Sequence, residues 1–88
     1  MRRNPAFVLS DVAGEHVLLP AARAGAELNG MLILNDMGIS IWDRLAHETT
    51  FEALLTALLD EYEVSEETAR ADLSEYLKIL RDVNGIID

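Results

Sequence analysis

The sequence contains no cysteine. Disulfide frameworks, thiolate zinc sites, iron–sulfur clusters and cysteine nucleophiles are therefore all excluded. Cations are scarce: seven Lys and Arg stand against sixteen Asp and Glu, a formal charge of −9. That balance repels phosphate backbones and anionic lipid surfaces, so neither nucleic acid nor membrane is expected as a partner. No apolar run approaches the ~20 residues that span a bilayer. Met1-Arg2-Arg3 could open a signal peptide, yet Asp11, Glu15 and His16 interrupt any stretch that could serve as its apolar region. The five glycines are scattered and build no phosphate-binding loop. A chain of 88 residues buries only roughly 60–65% of its unfolded surface. These limits lead to the expectation of one small cytoplasmic domain over residues 1–88.

What is present is apolar patterning, for half the residues are hydrophobic. Phe7 to Val12 and His16 to Pro20 are rich in β-formers and flank Ala13-Gly14, which predicts a hairpin. Glu27 to Leu34 predicts a third strand, with Gly30 marking a bulge or a close backbone approach. From Asn35 the period changes. Asn35 is the expected cap of a helix carrying Met37, Ile41, Trp42 and Leu45. Thr49 with Glu52 reads as a capping box, followed by the stripe Phe51, Leu54, Leu55, Leu58, Leu59 and Tyr62. Ser65 caps a last helix bearing Ala69, Leu73, Tyr76, Leu77, Leu80 and Val83, with Gly85 as its stop. The expected fold class is α+β and winged-helix-like, a three-stranded antiparallel sheet followed by three helices. Strands are expected at about 7–12, 16–20 and 27–34, and helices at about 36–46, 50–62 and 66–83.

Nothing in the pattern supports catalysis. His16 and His47 lie in separate elements without companions at ligand spacing. Ser10, Ser40, Ser65 and Ser74 sit in no nucleophile-elbow context. Asp60, Glu61, Glu63, Glu66 and Glu67 crowd one helix–helix connection but lack the alternation and glycine of a calcium loop. No cofactor and no metal are expected, and the chain is read as a non-enzyme.

Two features point to binding. On the last helix, Arg70, Ser74, Lys78 and Arg81 fall within about 80° of one another at about 100° per residue. This stripe reads either as a solvated face with i,i+4 pairing or as a positive ridge suited to an acidic ligand. On the third strand, Met31 and Ile33 alternate with Leu32 and Leu34, so both faces are apolar. Such a strand either packs under the helices or, at the edge of a sheet, accepts an added strand from another chain.

Leu34-Asn35-Asp36-Met37-Gly38-Ile39-Ser40-Ile41-Trp42-Asp43-Arg44-Leu45 resembles the LNxxGxxIWxxL signature of PqqD-like proteins. Thr50 to Leu54, Thr68 to Leu73 with Tyr76, Leu77 and Leu80, and the closing Gly85-Ile86-Ile87 extend the resemblance over nearly the whole chain. Met37 and Tyr76 depart from it, standing where Glu or Thr, and Phe, are usual. The resemblance implies a RiPP recognition element. Such a domain binds the leader of a ribosomally made precursor peptide by strand addition and presents it to a modifying enzyme, either a radical SAM protein or a leader peptidase. Carried onto this chain, it implies a site at Met31, Leu32, Ile33 and Leu34 with Arg70, Leu73, Ser74, Leu77, Lys78 and Arg81. The competing expectations are a winged-helix DNA-binding regulator and a structural subunit that only docks onto its enzyme.

Overall fold

In the computed structural model, residues 1–20 and 32–88 are described. Their elements run β1 (Arg2–Arg3), β2 (Phe7–Val12), β3 (Glu15–Pro20), β4 (Leu32–Leu34), α1 (Asp36–Arg44), α2 (Phe51–Glu61), α3 (Glu66–Asp82) and β5 (Ile86–Ile87). The main sheet is antiparallel in the order β2-β3-β4, so the expected α+β arrangement of three strands and three helices is present. The part of the third strand expected at 27–31, with its glycine, lies outside the described residues.

The β2–β3 hairpin closes through two residues, since Val12 pairs with Glu15. Ala13 and Gly14 both take positive φ, 53° and 83°. Two left-handed residues match the right-handed twist of the flanking strands, which is why so short a turn suffices. Leu18 and Leu34 project to one side and enter the core, while Phe7, Leu9 and Leu32 pack partly buried against it.

Each helix starts on a polar side chain. Asn35 Oδ1 accepts from the Gly38 amide at 2.8 Å and Ser65 Oγ from the Thr68 amide at 3.1 Å. The start of α2 differs from the expected box: the cap is Thr50, whose Oγ1 accepts from the Ala53 amide at 3.2 Å. Thr49 instead donates its amide to the Met1 carbonyl, and the Glu52 carboxylate turns to Arg70. At the end of α3 the left-handed residue is Asn84 (φ 63°), not Gly85. The Gly85 amide bonds the Leu80 carbonyl at 2.7 Å and the Asn84 amide the Arg81 carbonyl at 3.0 Å, a Schellman closure.

That closure aims the chain back across the molecule, where β5 pairs with β1 through Arg2↔Ile87 and Arg3↔Ile86. This two-stranded clasp has no counterpart in the expected elements. The core joins Leu18 and Leu34 of the sheet to Ile41, Trp42 and Leu45, to Leu54, Leu55 and Leu58, and to Ala69, Leu73, Leu77 and Leu80. Among the described residues no polar or charged side chain is buried in it. No described helix is long and apolar enough to cross a membrane.

Candidate functional site: a strand edge beside a helix groove

β4 has β3 as its one strand partner among the described residues, in the register His16↔Leu34, Val17↔Ile33 and Leu18↔Leu32. Its other border is therefore a row of backbone groups that no described strand satisfies. Side chains alternate across it as strand geometry requires. Leu34 is buried, Leu32 half-buried, and Ile33 is 65% exposed on the opposite face. The expectation of a strand apolar on both faces holds in composition, but only one face of the described segment is buried. An open border carrying an exposed β-branched residue favours addition of another strand.

Where β4 ends, α1 and α3 enclose a groove of about 330 Å³. Its base is made by Gly38, Ile41 and Tyr76, with Met37 and Ile79 beside them and Asn35, Asp72 and Glu75 lining it as exposed polar residues. A Cβ at position 38 would stand 3.1 Å from Tyr76 Cε2 and 3.3 Å from Asn35 Oδ1, so the glycine lets ring and helix meet without either neighbour giving way. Tyr76 Oη donates to the Gly38 carbonyl at 3.0 Å. Burial pushes the phenol well above its ordinary range, which keeps it a neutral donor at any physiological pH. This contact pins α3 to the first turn of α1 and fixes the groove's width.

The residues expected to form the site are only partly gathered. Leu32, Ile33 and Leu34 line the strand edge, while Met31 lies outside the described residues. Leu73 and Leu77 are 0% and 1% exposed; they belong to the core beneath α3 and offer no surface to a ligand. The cationic stripe is placed elsewhere. Arg70 reaches α2, with Nη1 2.9 Å from Glu52 Oε1, a further carboxylate on Glu66 at 3.7 Å, and its guanidinium over the Phe51 ring. Arg81 turns to the chain's end, donating to both carboxylate oxygens of Asp88. Ser74 and Lys78 are exposed on the same side of the helix. The buried arc of Leu73, Leu77 and Leu80 separates this flank from Asp72, Glu75, Tyr76 and Ile79, which face the groove. The basic ridge is thus not the wall beside β4: it lies on the opposite shoulder of α3, where Arg70 and Arg81 pair intramolecularly.

Sequence reasoning missed Asp72, Glu75 and Ile79. One signal was available, for Ile79 is a large apolar residue off the core arc, between two acids on the helical wheel. Met37 and Tyr76, two of the departures from the family pattern, both line the groove.

Two larger clefts lie away from the strand edge. One, of about 640 Å³, runs between α1 and α2 and is lined in part by Ser40, Arg44 and Glu61. Ser40 donates to Glu61 at 2.8 Å and Arg44 at 3.2 Å. These hydrogen bonds, with the charge on Arg44, hold the Glu61 carboxyl below the usual glutamate range. The other, of about 590 Å³, lies under Arg2, Arg3 and Trp42. Among the described residues no three metal-ligating side chains converge.

The described residues thus form a winged-helix-like α+β domain with an open sheet border against a helix groove, an arrangement suited to strand addition. The chain belongs to the PqqD family: the sequence model described as Coenzyme PQQ synthesis protein D (PqqD) matches residues 15–86, from β3 into β5. Two solved structures share the whole fold. TbiB1, in complex with the TbiA(beta) leader peptide, superposes with a TM-score of 0.73 at 27% identity over 100% of each chain. Lasso peptide synthetase B1, complexed with the leader peptide, gives 0.69 at 27% identity over 96% of this chain and 92% of the other. No curated protein matches the sequence.

Proposed function

We propose that this protein is a RiPP recognition element, a non-catalytic module that binds the leader of a ribosomally synthesised precursor and presents it to a separate modifying enzyme. The observation that carries this reading is the β4 border that no described strand pairs, beside the α1–α3 groove, in a PqqD-family chain similar to two structures solved with a leader peptide. The leader adds as a strand along Leu32 to Leu34. Backbone hydrogen bonds supply affinity independent of sequence, and alternate side chains entering the groove supply selection. Leu73 and Leu77 serve by holding α3 in place from beneath. The enzyme that receives the leader is a radical SAM protein or a leader peptidase, and the assembly works in the cytoplasm as a single-domain component.

Winged-helix folds also read DNA, but charge opposes that use here. The chain carries −9 overall, and two of the three cations of α3, Arg70 and Arg81, are tied to carboxylates. Calorimetric titration with the leader of a precursor encoded beside this gene tests the proposal. Saturable 1:1 binding is expected, modest in affinity because a disordered leader must be ordered. In parallel, amide NMR shifts should concentrate at Leu32–Leu34 and on the Tyr76 side of α3. A flat titration, repeated flat with the neighbouring enzyme present, would end it.

A further inference from the structure

Charge on the two flanks of α3 is sorted. Asp72 and Glu75 face the groove, and the groove has no Lys, Arg or His among its described lining residues. Among the described residues neither acid takes part in an ion pair, whereas Arg44, Arg70 and Arg81 are all matched with carboxylates elsewhere. Ile79, 42% exposed, and half-buried Met37 leave an apolar surface next to the two acids. Among the described residues, the negative potential at this end of β4 is therefore uncompensated, on a chain already at −9.

We infer, resting on the leader-binding reading, that the segment entering the α1–α3 groove is a cationic strand, with an apolar side chain against Ile79 and Met37 and a Lys or Arg opposite Asp72 and Glu75. This reverses the acidic ligand that the sequence stripe of Arg70, Lys78 and Arg81 suggested, because that stripe lies on the far shoulder of the helix. Complementary charge at a partly exposed border selects partners and speeds encounter more than it adds affinity. An acidic strand would meet like charge at the same place and be rejected.

The test uses the intact protein and two fluorescein-labelled strand peptides with the same alternating apolar residues, one carrying lysines between them and the other glutamates. The leader of the neighbouring precursor is measured alongside. Fluorescence anisotropy should show the lysine peptide binding about ten-fold tighter than the glutamate peptide, a preference that shrinks as salt rises. Asp72→Lys with Glu75→Lys should invert it. Asp60→Lys with Glu63→Lys changes the net charge equally but lies near the end of α2; it should leave the preference in place, which separates a local contact from the attraction of a −9 molecule. Equal binding of both peptides, tighter binding of the glutamate peptide, or a preference unmoved by the groove variant would overturn the inference. If the leader binds while neither designed peptide does, the inference falls and the leader reading stands. If none of the three binds, both fall.

Discussion

Tyr76 joins the two helices that set the groove, and its contribution separates into a ring and a hydroxyl. The ring occupies the space a Cβ at position 38 would crowd, and the hydroxyl donates to the Gly38 carbonyl. Tyr76→Phe keeps the ring and removes one neutral hydrogen bond. It should cost about 0.5–1.5 kcal/mol in urea unfolding with the fold retained. Glu61 offers a pH-dependent counterpart. Its carboxyl lies below the usual range in the folded chain because Ser40 and Arg44 hold the charged form. A depressed carboxyl stabilises fully above its unfolded pKa and loses that contribution as pH falls through its lower folded one. Glu61→Gln should therefore lower the melting temperature slightly at neutral pH, and the gap from the parent should close under acid conditions. A gap that widened on acidification would refute this assignment.

At the scale of elements, α3 has three faces with different duties, and truncations distinguish them. Leu77→Ala opens a cavity in a fully packed site and should cost about 2–5 kcal/mol. Any loss of peptide binding in that variant should track unfolding. Ile79→Ala removes partly exposed surface and should cost no more than about 0.5 kcal/mol. It should nevertheless weaken the leader several-fold, read by calorimetry at a temperature where both proteins are folded. On β4, Ile33→Lys should leave stability nearly unchanged, since the side chain is mostly in water, and weaken strand addition at the open border. Equal leader affinity for parent and both surface variants would place the peptide elsewhere.

For the molecule as a whole, the small core makes ligand binding and folding strongly linked. A leader that binds only the folded chain stabilises it by about 2.7 kcal/mol at a hundred times its Kd. For a domain of this size that corresponds to a rise in melting temperature on the order of 10 °C. Thermal melts across a leader titration should show it, and a concentration-independent melting temperature would contradict specific binding. The β1–β5 clasp couples the chain's two ends to the same cooperative unit, through Arg3 packed over Trp42 and Ile86 seated in the core.

Element types, caps and core were legible because they depend on neighbours in sequence. The spacing of Leu54, Leu55 and Leu58 makes one helix face apolar in any context, and Ser65 caps α3 wherever that helix packs. The shift of the α2 cap from Thr49 to Thr50 was not legible, since Met1, remote in sequence, claims the Thr49 amide. The same limit applied to the site. Periodicity placed Arg70, Lys78 and Arg81 on one stripe, but both shoulders of a helix are equivalent until its neighbours are in place. Packing of α2 against one shoulder brought Arg70 to Glu52, the return of the chain after α3 brought Arg81 to Asp88, and α1 left Asp72, Glu75 and Ile79 bordering the groove. Local pattern thus determined which residues are apolar, helical or extended; tertiary contact decided which charges face the open strand, because charge–charge proximity is a property of the assembled elements alone.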